Sequence, residues 1–423
     1  MSIQLDPGLC KSIKKNFIAP LYVPSIAWES FRASSDLRHV AFVSRADGRQ
    51  CVVIDGVDGE LFDGIALNTI AFSPDGKHAA YVAGVGSKQL MVIDEQQGPH
   101  YEMTLKGSAF FSPDSQHVAY GAQKGGRWCV VLDGKEGEFF DLVNSLTFSP
   151  DSRHFAYCAE RGNNEWVIVA HQLLGNSYSK ENLIPVVEGN LFKKYPVPFL
   201  LGFSPDGRQF AYAAHIDNEE FVVRNGIADK KYHGVISKLV FSPNSQHFLY
   251  AANDRRNQFM VLDGKACRLF DYIVIGQNEC FSPDSRRFAY VVKQGGSQYV
   301  VFDEQMGDAY DGIGAGTVMF SPDSKRTAFT GRIGQTRFVV VDRKIQRQFP
   351  DPLALAFSLD SKHIIFASKV AKESIVVVDE TPIVQSESIL NANVGSGICF
   401  DSAHKFRFLE IVNGAVQSVE VEL

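Results

Sequence analysis

The hydrophobic positions of this chain fall in short alternating runs rather than long stripes, and the runs recur. Ten times an apolar residue leads into a polar turn of the Ser-Pro-Asp kind, after which a second apolar run ends in Tyr or Phe. The clearest copies are Phe72-Ser73-Pro74-Asp75, Phe111-Ser112-Pro113-Asp114, Phe148-Ser149-Pro150-Asp151, Phe203-Ser204-Pro205-Asp206, Phe281-Ser282-Pro283-Asp284 and Phe320-Ser321-Pro322-Asp323. Weaker copies begin at Phe241, with Asn244 for Asp, at Phe357, with Leu359 for Pro, at Phe400, and at Ala33, where Ser34-Ser35-Asp36 stands in. Proline sets φ for the first central turn position, and Asp with Ser or Gly accepts the backbone donors that follow, so each copy predicts a tight hairpin.

Each turn joins two strands, as in the run into Phe148 and the run Phe155-Ala156-Tyr157-Cys158-Ala159. A polar loop such as Gln123-Lys124-Gly125-Gly126-Arg127 then leads to a β-branched run, Trp128-Cys129-Val130-Val131-Leu132, closed by Asp133-Gly134, a strong hairpin signal. A weaker fourth strand ends in an aromatic-Asp pair, at Phe62-Asp63, Phe140-Asp141, Phe270-Asp271 and Tyr310-Asp311. No long window has helical periodicity.

Four short strands repeated about every 40 residues predict an all-β fold, a single closed β-propeller of four-stranded antiparallel blades. Counted by turns the ring has ten blades, above the usual range of about four to eight; two smaller propellers are the alternative, although no linker interrupts the period. The last repeat ends at Leu423 without a fourth strand. Leu21 to Ile26, aligned by offset with Leu61 to Ile65, is expected to supply it, which removes exposed sheet edges. The expected division is an N-terminal segment over 1–20 and a propeller over 21–423, with an insertion near 171–189 in the one overlong repeat.

The net charge of −6 over 423 residues, without a basic run, argues against nucleic acid or an anionic membrane as partner. Seven scattered cysteines without a Cys-x-x-Cys pair argue against disulfide and metal frameworks, and read as small buried hydrophobes in a reducing compartment. No secretory leader and no apolar stretch of about 18 residues is visible. The expectation is a soluble monomer, cytoplasmic, or periplasmic if a leader was removed.

The Phe-Ser-Pro-Asp-[Gly/Ser] turn followed by Phe-Ala-Tyr resembles the Pro-Asp-type repeats of the WD-like β-propeller superfamily, as in the C-terminal propeller of TolB-type proteins. The resemblance covers the chain from about Ile26 onward and implies a fold rather than a function. TolB-type proteins add an N-terminal α/β domain, and prolyl-oligopeptidase propellers accompany a hydrolase domain with a Gly-x-Ser-x-Gly elbow; neither pattern is present in this sequence. The resemblance therefore implies a binding scaffold.

Several residue sets invite chemistry. His39, His78, His117, His154, His247, His363 and His404 stand three residues after the turn acid, but Gln209, Arg287 and Arg326 replace them elsewhere. Ring symmetry would also hold them far apart, so a hairpin contact is expected and a metal site is not. Asp55, Asp94, Asp133, Asp263, Asp303, Asp342 and Asp379 end third strands and read as turn formers. The crossover acids Asp63, Asp141, Asp271 and Asp311 are expected to ring the channel mouth. Beside them lie loops carrying Arg45, Lys88, Lys124, Arg127, Arg161, Arg255, Arg256, Lys293, Arg332 and Lys369. Either a polar partner segment docks there, with Asp63, Asp141, Asp271, Asp311, Arg127, Arg255 and Arg256 as contacts, or each acid pairs with its own loop.

The expected function is a non-enzymatic scaffold for a protein or peptide, with no cofactor and no metal. The alternative is a propeller hydrolase or lyase acting on a small or sugar substrate in the channel. The innermost strands offer Asn68, Ser108, Asn144, Ser145, Ser237, Lys238, Gln277, Asn278 and Thr317, a polar but chemically quiet set, which favours the scaffold.

Overall fold

A computed structural model describes residues 7–423 except 22–24, 106–108, 163, 172–182, 186–200, 217–218, 236–238, 275–279, 347–348, 371 and 391–396. Among the described residues the chain forms ten antiparallel sheets and one 3-10 turn, Pro7–Leu9. No described helix is long and apolar enough to cross a membrane. The sheet made of Ile26–Ala33, Val40–Ala46, Arg49–Ile54 and Val57–Asp58, in that order, shows the plan. Each strand pairs with the next in sequence, the meander of a propeller blade. The four strands per repeat expected from the pattern are therefore present.

In several sheets the first strand is split. Gly64–Ile65 and Ala71–Phe72 both pair with Ala79–Val85. Between them Asn68 turns through φ 66°, where a short polar side chain is tolerated. The Thr69 hydroxyl donates to the Ala66 carbonyl (2.6 Å) and accepts the Val82 amide (3.1 Å), so it bonds two backbone groups at the break. Thr317 does the same with Gly314 and Thr330.

The chain forms two compact units, Met1–Leu21 with Ile236–Leu423, and Tyr22–Val235. Within Tyr22–Val235 the period of two sends alternate residues of one strand to opposite neighbours. Tyr81 and Ala83 pack on Ala41, Val43 and Val52 of the preceding sheet, whereas Ala80 and Val82 pack on Tyr120, Ala122 and Cys129 of the following one. Alanine opposite tyrosine lets two sheets approach, which is the physical content of the Phe-Ala-Tyr signature. In the other unit Leu249, Ala251 and Met260 meet Tyr290, Val292 and Val301 in the same way.

The Ser-Pro-Asp turn is built around one buried hydroxyl. Ser321 is fully buried. Its Oγ donates to Asp323 Oδ1 (2.6 Å) and accepts the Arg326 amide (2.9 Å), while its own amide donates to the Arg326 carbonyl (2.9 Å). The same geometry recurs from Ser34 to Ser358, with Asn244 replacing the acid beside Ser242. The fourth turn residue adopts positive φ, as in Ser115, Ser285, Ser324 and Ser361. Its hydroxyl then accepts the amide of the preceding repeat's turn acid: Asp75 to Ser115 (3.1 Å), Asp284 to Ser324 (2.9 Å) and Asp323 to Ser361 (2.9 Å).

The C-terminal sheet contains a strand from the start of the chain. Ser12–Pro20 pairs antiparallel with Ala415–Glu422, whose other edge pairs with Lys405–Val412. An N-terminal strand does join the last sheet, but it lies earlier than Leu21 to Ile26, inside the stretch expected to precede the blades. Tyr22 to Pro24 lie outside the described residues, and Ile26 opens the first repeat's own sheet. Lys15 Nζ lies 2.7 Å from Oε1 of the fully buried Glu410.

Two outcomes follow from the turn. Replacing Ser321 with Ala strands the buried Arg326 amide, at a cost of about 1–3 kcal/mol in urea unfolding, whereas Asp323→Asn, which the natural Asn244 imitates, costs less. Six of the turn acids, Asp75, Asp114, Asp151, Asp284, Asp323 and Asp360, are held below their ordinary value. The Ser358 hydroxyl, outweighing desolvation, and the Lys362 amide draw Asp360 down to about 2. The Ser73 hydroxyl and the Lys77 amide hold Asp75 well below the usual carboxylate range. A carboxyl lowered by folding stabilises above its unfolded value of about 3.9, and that contribution disappears as pH falls through the folded value. Urea midpoints should therefore be level above about pH 5 and fall between about pH 4 and 2.

Candidate functional site

The crossover between repeats is held by a side-chain cap. Phe62 bridges Gln50 of its own third strand, Asp63 follows, and the Ile65 amide of the next first strand donates to Gln50 Oε1 (2.7 Å). The same cap joins Gln89 to Thr104, Glu220 to Val235, Gln258 to Ile273 and Gln298 to Ile313. Its signal, Gln or Glu twelve residues before the aromatic and fifteen before the capped amide, is visible in the sequence and was missed.

Each crossover acid meets a loop amide, at Asp141 without the cap because Trp128 stands at the Gln position. Asp63 Oδ2 accepts the Gly86 amide (2.7 Å), Asp141 Oδ2 that of Gly162 (2.7 Å), Asp271 Oδ2 that of Gly295 (2.9 Å) and Asp311 Oδ2 that of Gly334 (2.6 Å). These glycines lie in the loops between second and third strands, so each acid meets the loop of the sheet it leads into. Glu102 belongs to the set although it was not singled out. Its two oxygens accept Gly125 and Gly126, and those amides, Gly126 first, lower its pKa. Asp63, Glu102 and Asp141 belong to one unit, Asp271 and Asp311 to the other.

The carboxylates remain half open. Asp63 and Asp141 are 56% and 53% exposed, and each keeps Oδ1 nearly 4 Å from an arginine Nε, of Arg49 and Arg127 respectively. Arg127 donates to the Phe139 carbonyl (2.7 Å). Arg161 joins that carbonyl and Glu138, and lies 4.7 Å over the Phe140 ring. Arg255 and Arg256 stand exposed in a loop that Asp254 caps through the Arg256 and Asn257 amides. Leu67, Met103, Tyr272 and Ile333 are exposed beside these acids and loops.

The histidine row lies on the turn side and pairs with the strand-end acids. Nδ1 of His39, His78, His117, His247 and His363 lies 2.5–2.8 Å from Oδ2 of Asp55, Asp94, Asp133, Asp263 and Asp379. Arg287 and Arg326 meet Asp303 and Asp342 identically. The flat side of the group covers the next repeat's turn aromatic: His154 over Phe203, His247 over Phe281, Arg287 over Phe320 and Arg326 over Phe357. The expected hairpin contact is made with the strand-end acid. Among the described residues no group of three or more metal-ligating side chains comes together.

The first strands hold charges that the sequence reading passed over. Arg32 donates to Asn68 Oδ1 (2.8 Å) in the next repeat, and Glu29 is exposed beside it. Ser108, Ser237, Lys238, Gln277 and Asn278 lie outside the described residues, as does all of the 171–189 insertion except the backbone of His171 and Leu183–Pro185. Burial, together with nearby Glu136 and Glu304, pushes the thiols of Cys129 and Cys267 up to about 11 and about 12, so neither is a nucleophile near neutral pH.

Strand order and the crossover define a repeat protein of antiparallel meander sheets, each of four or five strands. The chain is similar to the structure of a eukaryotic initiation factor, at 11% identity and TM-score 0.47 over 84% of this chain and 88% of that one. It is also similar to the Dos1 propeller, at 12% and 0.41 over 83% and 91%. A third likeness is to the β-propeller domain of Myceliophteria thermophila Cps50 (Swd1), at 11% and 0.32 over 68% and 99%. No family model and no curated protein matches the chain. At these levels the likenesses assign no activity.

Because Oδ2 of Asp311 caps the Gly334 amide, Asp311→Ala should speed exchange of that amide. The cost is at most about 1 kcal/mol on an exposed loop. Asp311→Asn, which keeps an acceptor there, should leave exchange near the wild-type rate.

Proposed function

We propose that this chain is a β-propeller scaffold, its sheets closed into one ring of ten blades, that binds a protein or peptide partner on the face of the crossover acids. The observation that carries the reading is a solvent-exposed carboxylate whose Oδ2 is held by a loop amide, with Asp271 Oδ1 also accepting from Gln294 Nε2. Each of Asp63, Asp141, Asp271 and Asp311 is oriented by one loop amide through Oδ2. Such pre-orientation lowers the ordering cost of binding.

The surroundings fit a peptide better than a small substrate. Arg127, Arg255 and Arg256 supply the opposite charge, while Met103 and Tyr272 supply exposed apolar area of the kind enriched at interface centres. The mixed signs favour a polar segment with an apolar anchor.

Asparagine retains the acceptor that holds the loop and removes the charge offered to a partner. The variant with Asp63, Asp141, Asp271 and Asp311 all changed to Asn should keep the wild-type urea midpoint and lose capture of the partner that wild type retains from native lysate after cross-linking. Undiminished capture by this variant overturns the reading, and capture lost only on deleting residues 171–189 transfers the site to the insertion.

A further inference from the structure

The terminal strand Ser12–Pro20 differs from the other outer strands of its unit. Lys265–Ala266, Gln305–Met306 and Lys344–Ile345 are two residues long and Thr381–Ser386 is six, whereas Ser12–Pro20 runs for nine and, among the described residues, pairs on one edge only. A strand of that length presents a row of amides and carbonyls to whatever can pair with it.

Its side chains continue the sheet's apolar layer and then stop. Ile13, Lys15 and Phe17 share a face and stand opposite Val421, Val419 and Gln417. Val419 and Val421 are fully buried, but Ile13 is 39% and Phe17 64% exposed. Lysines on an edge normally discourage strand addition. Here the charge of Lys15 is engaged inward by Glu410, and Lys14 lies on the opposite face, across from Glu420.

We propose that this edge is a homotypic interface, on which a second copy of the chain adds its own Ser12–Pro20 antiparallel about a two-fold axis at Lys15. In that register residue 13 faces 17 of the other copy, 14 faces 16, and 15 faces 15. Both exposed apolar residues are then covered by aromatic and β-branched cross-strand pairs, and the symmetry is that of a closed dimer. The register shift between Phe17 and Ala19 ends the regular stretch just beyond these pairs. The surface is separate from the loop face and does not rest on the function proposed for it.

Sedimentation of the full chain over a concentration series tests this. Wild type should pass from monomer to dimer, while the double variant Ile13→Ser with Phe17→Ser should stay monomeric at every concentration and keep the wild-type urea midpoint. Register is read by mild oxidation. Chains carrying Ile13→Cys mixed with chains carrying Phe17→Cys should cross-link well above the background of the seven native thiols, and each alone should not. A wild type that remains monomeric throughout, a double variant that dimerises like wild type, or equal cross-linking by either single variant alone would overturn the proposal. So would capture of an alternating Val-Glu peptide by a chain that never dimerises.

Discussion

The buried serine hydroxyl of the Ser-Pro-Asp turn is the contact on which the rest of the structure depends. It lies where water cannot replace its partners, so it must both donate, to the turn acid, and accept, from the amide five residues on. Those bonds set the angle at which the second strand leaves the turn. The residue at positive φ then offers its hydroxyl to the preceding repeat's acid amide, so four residues both close one hairpin and couple it to its neighbour. Where that residue is Gly76 the hydroxyl is absent, and Ser35 supplies the link by donating to the Pro74 carbonyl (2.7 Å).

A second coupling explains why histidine and arginine interchange at one position. The group must offer a donor edge to the strand-end acid and a flat face to the next repeat's phenylalanine. Imidazole and guanidinium meet both demands. A metal site would require convergence, and these groups instead each close a separate seam.

Most of the architecture was legible because its determinants are local. Turn chemistry, the apolar alternation and the Asp-Gly closures each act within a few residues, so they read directly from the sequence. The terminal strand escaped because its stabilisation is not local. Ser12 to Phe17 carries Lys14, Lys15 and Asn16 and no bounding hairpin turn, and its pairing depends on Ala415–Glu422 at the far end of the chain. Offset alignment pointed instead to Leu21 through Ile26; of these Leu21 donates to the Gly414 carbonyl, while Ile26 pairs with Ser44 in the first repeat's own sheet. At the candidate site the acids were legible and their use was not. An Asp after an aromatic marks the crossover, but only the distance to a glycine amide shows that one oxygen is committed. Glu102 shows the same limit, since its two oxygens accept two successive glycine amides.

The two sides of the repeat consequently differ in what they leave over for recognition. On the turn side the serine bonds the acid and the planar group bonds the strand-end aspartate, and a substitution there disturbs a hairpin or a seam. On the loop side the backbone asks only for one acceptor per loop, and the residues around it differ from repeat to repeat: Gly125-Gly126 between Lys124 and Arg127, Arg255-Arg256 after Asp254, Ile333 before Gly334. Variation that does not cost the fold accumulates on loops positioned by a rigid scaffold, and binding specificity is built from such variation. The loop side is therefore where this chain can acquire a partner without giving up the hydroxyl that holds it together.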